Sequence, residues 1–286
     1  MKTPKVDICI PTRNRYDHLA VLLNSISVQT YLNFDVIILD DSDTPLNLMQ
    51  IPCIAPTLNL LVNAKHEWKV FFGQKKGPHF AHKLLLDESK SNYIMRVDDD
   101  CVLTPNCLEQ LMNTMMTQDN CAGVAPIILN PNFSLDTQQL NEGWEDNKSF
   151  SHKVTYNKTT KHVDHSPALQ WNKHLDDKPK AVEHLHSSFL YKKAVAVAVG
   201  GWDDMTDELS MKGMTEETWF SYKLHKAGFN LFVDPCALIW HYHSPMGGVR
   251  SEKTDAKEAE RLYWSDREKF ANWFRKMGYD RSEKAS

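Results

Sequence analysis

Two rhythms of apolar residues alternate along the first 130 positions. Unbroken apolar runs of buried-strand length are separated by stretches in which apolar residues recur every three or four positions, the spacing of one helix face. "KVDICI" (5–10) is such a run, ended by Pro11, and Leu19, Leu22, Leu23 and Ile26 give residues 17–29 helical spacing. "FDVIILDD" (34–41) is a second run, closed by acids and by the turn-forming "SDTP". "KVFFG" (69–73) predicts a third strand, "GPHFAHKLLLDESK" (77–90) a helix and "NYIMRV" (92–97) a fourth strand. Thr104 is placed to cap the next helix, with Pro105 at its first position and Leu108, Leu111, Met112 and Met115 as its apolar stripe. With "CAGVAPIIL" (121–129) the alternation predicts an α/β fold, a mostly parallel sheet with helices on both faces.

The rhythm breaks between about 130 and 180, where polar residues crowd around isolated aromatics such as Trp144 and Trp171. This stretch reads as an excursion, not a second core. "HLHSSFLYK" (184–192) resumes the strands, "VGGWDD" (199–204) is a turn, and a helix runs from Glu216 until Gly228 stops it. "FNLFVDP" and "ALIWHYHSP" predict the last two strands. "PMGGV" (245–249) reads as a flexible joint before a final helix carrying Tyr263, Phe270, Trp273, Phe274 and Met277, ahead of Gly278.

Composition narrows the class. With 286 residues and 42% hydrophobic content the chain buries one large α/β core or two small ones. A net charge of −4 gives no general attraction to polyanions. The six cysteines form no C-x-x-C pair, and no stretch approaches the roughly 18 apolar residues of a membrane span. The expectation is a soluble, cytoplasmic chain with reduced thiols and no transmembrane segment.

Candidate chemistry lies where the runs end. Asp40 and Asp41 close the second run, Asp98, Asp99 and Asp100 the fourth, and Glu216 with Glu217 opens a helix. Open α/β sheets bind ligands beyond the carboxyl ends of their strands. Adjacent carboxylates raise one another's pKa unless a cation compensates, so the triplet points to a divalent metal, with oxygen ligands favouring Mg²⁺ or Mn²⁺. The plainer alternative is a solvated acidic loop.

The wording around these acids carries a resemblance. "VDICIPTRNRYDHLAVLLNSISVQTYLNFDVIILDDSD", "NYIMRVDDDCVLTPNCLEQLM" and, late in the chain, "GGWDDMTDELSMKGMTEETWFSYKLHKAGFNLFVDPCALIWHYHSP" resemble, in order, the segments of family 2 glycosyltransferases. The matches span most of residues 5–245 and leave 130–185 and the tail unmatched. The resemblance implies the Rossmann-like GT-A fold, with residues 1–129 as a nucleotide-sugar-binding half, 130–245 as an acceptor-binding and catalytic half of the same domain, and 246–286 as joint and helix.

Roles follow by resemblance alone. Pro11, Thr12, Arg13 and Asn14 would line the base, with Arg13 stacking where relatives place an aromatic, and Asp41 would accept from a uracil imide. Asp100 would hold the metal with His241, and His243, two residues on, is its stand-in. Asp98 and Asp99 would bracket the ribose hydroxyls, with Asp98 also counted among the metal-side acids. Glu217 would be the base of an inverting displacement, one methylene longer than the usual aspartate, and Glu216 stays a candidate. Thr215 is a plausible N-cap, which makes helix capping the rival explanation of both glutamates. Trp202 with Asp203 or Asp204 would border the sugar or acceptor, and Lys83 would contact the diphosphate or serve as a solvated helix residue.

The implied partners are a nucleoside-diphosphate sugar, UDP-linked by the Asp41 reading, and a saccharide or other hydroxyl acceptor. Residues 148–180 carry seven lysines and four histidines against three aspartates, and residues 65–83 carry five lysines against one glutamate. These patches keep a modified nucleic-acid acceptor open. Two other classes compete: "DDDCV" fits the nucleophile loop of haloacid-dehalogenase-like phosphohydrolases, which needs the first strand of its domain, and tryptophans suit a noncatalytic carbohydrate-binding module. A sugar-nucleotide pyrophosphorylase would need a glycine-rich loop where "PTRNR" stands.

Overall fold

The apolar runs assemble into one sheet. The computed structural model describes residues 3–73, 77–129, 153–165, 176–206, 208–248 and 255–281. In chain order its elements are β1 (Val6–Thr12), α1 (Tyr16–Ser27), β2 (Phe34–Asp40), α2 (Ala55–Asn63), β3 (Trp68–Phe72), α3 (Pro78–Glu88), β4 (Tyr93–Arg96), β5 (Cys101–Leu103), α4 (Cys107–Thr117), β6 (Cys121–Leu129), β7 (Val154–Tyr156), β8 (Val163–His165), β9 (Lys180–Val182), β10 (Phe189–Lys192), α5 (Lys193–Ala198), α6 (Asp203–Thr206), α7 (Glu216–Lys226), β11 (Asn230–His241) and α8 (Ala256–Lys276). The sheet runs β3-β2-β1-β4-β10-β6-β11-β5, with β9 also paired to β11. β3, β2, β1 and β4 are mutually parallel, as are β6 and β11, while β10 lies antiparallel between β4 and β6.

Helices cover both faces. Leu19, Leu22, Leu23 and Ile26 of α1, Leu58 and Leu61 of α2, and Leu108, Leu111, Met112 and Met115 of α4 form one buried cluster with inward residues of β1 and β2. Leu85 and Leu86 of α3, Trp219, Phe220 and Tyr222 of α7, and Phe270 and Phe274 of α8 form the other. The aromatics of the last helix are therefore core, with Trp219 stacked on Phe270 at 5.4 Å. All six cysteines are free thiols. Among the described residues no helix is long and apolar enough to cross a membrane.

Several boundaries move for physical reasons. β1 continues through Pro11 to Thr12 because its pairing with β4 has already ended at Cys9–Arg96 while pairing with β2 continues. The missing proline N–H then falls on a side with no ladder left to join. α4 begins at Cys107, and Thr104 is not its cap: the Thr104 hydroxyl donates to the Leu238 carbonyl at 3.1 Å, tying the loop to β11. The two expected last strands are one, β11, whose pairing with β6 shifts between Asp234 and Leu238 around Pro235. The stretch after β6 is more than an excursion: Val154 and Val163 of the β7–β8 hairpin are buried in the core, and β9 joins the sheet. Trp144 and Trp171 lie outside the described residues.

Candidate active site

The chain runs from β1 to β2 and β3 on one side, then crosses to β4 on the other side of β1. Sheets of this kind open a crevice at such a switch point, beyond the strand carboxyl ends. A cavity of about 330 Å³ occupies that place, lined by Pro11, Thr12, Arg13, Asp41, Asp98, Asp99, Asp100, Glu216, Glu217 and His241. Most of the residues singled out in the sequence are thus brought together from positions more than 200 apart.

The aspartates following β4 have three different environments. Asp99 is buried and accepts from Thr12 Oγ1 and Arg15 Nη1, each at 2.8 Å. Burial, only partly offset by Arg15, pushes its carboxyl up to about 6. Asp99 is thus engaged by the protein while it also lines the cavity. Asp100 Oδ1 lies 3.0 Å from His241 Nε2, and its Oδ2 accepts from the Ser244 amide at 3.0 Å. Burial opposes its ionisation, but His241, Arg15 and the Ser244 amide outweigh that and hold it well below the usual carboxylate range. Burial works against a charged imidazole at His241, and the hydrogen bond to Asp100 overcomes it and raises its pKa. Asp98 Oδ2 accepts from Ser187 Oγ at 2.7 Å.

Asp100 and His241 converge with Cys101, their ligand atoms all within 4.8 Å of one another, and Asp98 is outside that group. The Cys101 thiol is buried, and burial pushes its pKa well up. His243 is not on the strand, which ends at His241; it has φ +46, and its ring centroid lies 4.0 Å from that of His241.

The glutamates divide their work in the same way. Glu216 is buried, takes both terminal nitrogens of Arg96 at 2.8 and 3.0 Å, and accepts from Trp202 Nε1 at 2.7 Å. Glu217, partly exposed, faces the cavity. Its surroundings desolvate it and Glu216 lies beside it, and together they push its carboxyl up to about 7. Thr215 precedes them in the left-handed region at φ +69 and makes no side-chain cap bond. Capping by Thr215 therefore does not account for the two acids. The loop before it is held by α8: buried Asp266 accepts from the amides of Ser210 at 2.7 Å and Met214 at 3.0 Å.

Trp202 offers no face to a sugar. It is fully buried, stacked on Phe220 at 3.8 Å, and its N–H goes to Glu216. Asp203 pairs with Lys83 at 2.7 Å and Asp204 with Lys223 at 3.1 Å, and neither lines the cavity. Lys83 lines an adjoining cavity of about 180 Å³ that shares Asp41 with the larger one. Asp41 depends on a neighbouring glycine: a Cβ on Gly73 would stand 2.5 Å from Asp41 Oδ1. Asp40 instead faces inward, accepting from Tyr16 and from the Ser42 amide. Arg13 and Asn14 both bond Asp43.

Two arginines were missed in the sequence. Arg15 joins Asp99 and Asp100 to the carbonyls of Met246 and Gly247. The glycines expected to be a flexible joint are its receptacle: a Cβ on Gly247 would stand 2.3 Å from Arg15 Cγ, and one on Gly248 2.9 Å from Arg15 Cζ. Arg96 spans the two acidic groups, 3.8 Å from Asp98 and 2.8 Å from Glu216. The signal available was a cation inside an apolar run, since a buried arginine requires a buried acid.

Residues 7–177 match the family model described as "Glycosyl transferase family 2". The match runs through 130–177, which the sequence reading left unmatched, and ends before the late segments that it did match. An uncharacterized glycosyltransferase, YwdF, of Bacillus subtilis is 28% identical over 124 residues, 43% of this chain and 43% of that protein. Another from Haemophilus influenzae is 26% identical over 117 residues, 41% of this chain and 44% of its own length. The chain thus matches less than half the length of each of these relatives. Among solved structures, GalNAc-T7 with UDP, GalNAc and Mn²⁺ superposes with a TM-score of 0.65 at 16% identity, over 95% of this chain and 48% of that one. The mannosyltransferase PcManGT from Pyrobaculum calidifontis, in complex with GDP-Man and Mn²⁺, gives 0.60 at 13% identity, over 96% and 65%. These likenesses show the fold, that of the GT-A enzymes.

Proposed function

The chain belongs to glycosyl transferase family 2, and on that premise we propose that it moves a sugar from a uridine diphosphate donor to a hydroxyl acceptor with inversion at the anomeric carbon. The observation that carries this reading is one cavity with Asp98, Asp100 and His241 and, in the same lining, a glutamate whose carboxyl is lifted to about 7. A haloacid-dehalogenase-like reading loses support because the triplet follows β4, not the first strand. A binding module loses it because Trp202 is buried.

The residues fit a divalent ion. Adjacent ligands of an octahedral ion with bonds of about 2.1 Å stand about 3 Å apart, and Asp100 Oδ1 and His241 Nε2 are 3.0 Å apart. Asp100 and His241 would hold it, and Mn²⁺ or Mg²⁺ bound there supplies the charge that a departing diphosphate needs. Solved relatives of this fold crystallised with UDP and Mn²⁺ or with GDP-Man and Mn²⁺ support that assignment. Pro11, Thr12 and Arg13 border the base, and Asp41 accepts from the uracil imide. Glu217 takes the acceptor proton: a carboxyl near 7 is a stronger base than an ordinary glutamate and is about half ionised near neutral pH. Glu216 serves differently, bound on both oxygens so that α7 starts at a fixed place.

The test is turnover on UDP- and GDP-linked sugars with Mn²⁺ and saccharide acceptors, read as nucleoside diphosphate release and as the anomeric configuration of the product by NMR. Release from UDP-sugars with an inverted product is expected. A retained configuration would remove the single-displacement role of Glu217, and failure of every donor to react or to stabilise the protein would remove the whole reading.

A further inference from the structure

A second group of metal-ligating side chains lies beside this cavity and takes no part in the chemistry above. His165 ends β8, while His184 and His186 lie on the segment leading into β10. One ring nitrogen from each lies within 4.8 Å of the others. Ring centroids are 5.3, 5.7 and 4.5 Å apart, and the planes meet at 70°, 56° and 76°. Two of the three pairs are edge-to-face, which ring packing alone also favours; what makes a donor set is the gathering of one ring nitrogen from each of three imidazoles. His184 is fully buried and the other two are half-buried.

We propose that His165, His184 and His186 form a second metal site, selective for a borderline transition ion of the Zn²⁺ class and separate from the ion at Asp100. Three neutral imidazoles are the donor set of zinc, nickel and cobalt, whereas Mg²⁺ and Mn²⁺ prefer oxygen. Zinc–nitrogen bonds of about 2.0–2.1 Å put tetrahedral ligands about 3.4 Å apart, within the 4.8 Å that bounds the separations of these ring nitrogens.

The site's place in the fold gives it work. The β7–β8 hairpin is clamped to α8 by Arg267, which donates to the Val163 carbonyl and to Asp164. The amide of Leu185, between two of the ligands, donates to Ser221 Oγ at 2.8 Å, and Ser221 in turn bonds the Glu217 carbonyl at 2.7 Å. His186 immediately precedes Ser187, whose hydroxyl bonds Asp98. An ion held by these three histidines ties the hairpin to both walls of the cavity at once. The inference does not depend on the glycosyl-transfer reading, because its readout is metal content.

The experiment uses the full chain carrying Asp100→Asn, which removes the charged donor of the first site. After chelation and dialysis it is titrated with Zn²⁺ alone and, separately, with Co²⁺ alone. Stoichiometric Zn²⁺ retention, the visible d–d absorption of tetrahedral nitrogen-ligated Co²⁺ and a raised Tm are expected. His165→Ala and His186→Ala, made because His184→Ala risks the fold, should each weaken Zn²⁺ binding by at least about 100-fold, since loss of even a residue that only orients a ligand costs roughly 10–100-fold. No retained Zn²⁺ in the Asp100→Asn protein, or retention unchanged in both histidine variants with circular dichroism intact, would overturn the site.

Discussion

The aspartates after β4 and the glutamates at the start of α7 are built alike and tuned apart. Each group gives one acid to a buried arginine, Asp99 to Arg15 and Glu216 to Arg96, and presents another to the same cavity. The presented acids differ. Asp100 is surrounded by His241, Arg15 and the Ser244 amide and stays charged. Glu217 has an acid for its neighbour, little compensation, and a carboxyl near 7. One position suits a fixed negative charge and the other a proton that comes and goes, which is how two carboxylates in one site take different roles.

The sharpest way to break this contrast is to neutralise each presented acid without changing its shape. Glu217→Gln and Asp100→Asn should each lower kcat by about 10³-fold or more, within the range of a lost general base or of lost charge stabilisation. They should differ in binding: Glu217→Gln keeps UDP and Mn²⁺ affinity in calorimetry and Asp100→Asn loses Mn²⁺ dependence. Turnover within threefold of the parent in either variant would dissolve the division of labour.

The next effect falls on stability. Arg96 is buried and shared between Asp98 and Glu216, so Arg96→Ala strands an acid and should cost about 3–5 kcal/mol in urea unfolding. Arg96→Ala with Glu216→Gln removes the charge left behind and should recover part of that loss. No recovery in the double variant would mean that the pair is not what holds the two groups together.

How much of this was legible follows from which residues signal locally. Strands and helices of the first half announce themselves because each buries a continuous run or a regular stripe, as in Val36 to Leu39 or Leu108 to Met115. α2 carries no such signal: Pro56 and Asn59 interrupt it, and only Thr57, Leu58 and Leu61 are buried. The acids were visible as clusters, but which acid faces the cavity was not, since that depends on arginines brought from elsewhere by the fold. Trp202 was misread for the same reason, its burial being decided by Phe220 and Glu216.

A smaller effect separates positioning from chemistry. Asp266 holds the Ser210 and Met214 amides from α8, so Asp266→Asn loosens the loop that delivers Glu217 from a position outside the cavity lining. A drop in kcat of about 10-fold is expected, since sub-ångström misplacement is enough for that, with the apparent pKa of the pH–rate profile moving along with it. Unchanged kcat and profile would leave Asp266 with a purely structural role.

The smallest effect is also the most specific, because it reverses sign between the two acids. Glu217 titrates near 7 when folded and near its ordinary 4.5 when unfolded. Between those values the folded chain binds more protons, so stability falls as pH rises through the window and the full cost stands above it. Glu217→Gln abolishes that cost: in EDTA its Tm should match the parent near pH 4.5 and exceed it by a few degrees at pH 8, about the shift of a kcal/mol-scale change in a domain this size. Asp100 has the opposite linkage. Its folded value lies below the ordinary 3.8, so its stabilisation is present throughout the working range and is lost only as pH falls through the folded value. Asp100→Asn should therefore lower Tm at pH 8 and at pH 5 alike. A Glu217→Gln offset that is equal at pH 5 and pH 8 would show that Glu217 titrates like any exposed glutamate, and with it would go the physical reason for choosing Glu217 as the base.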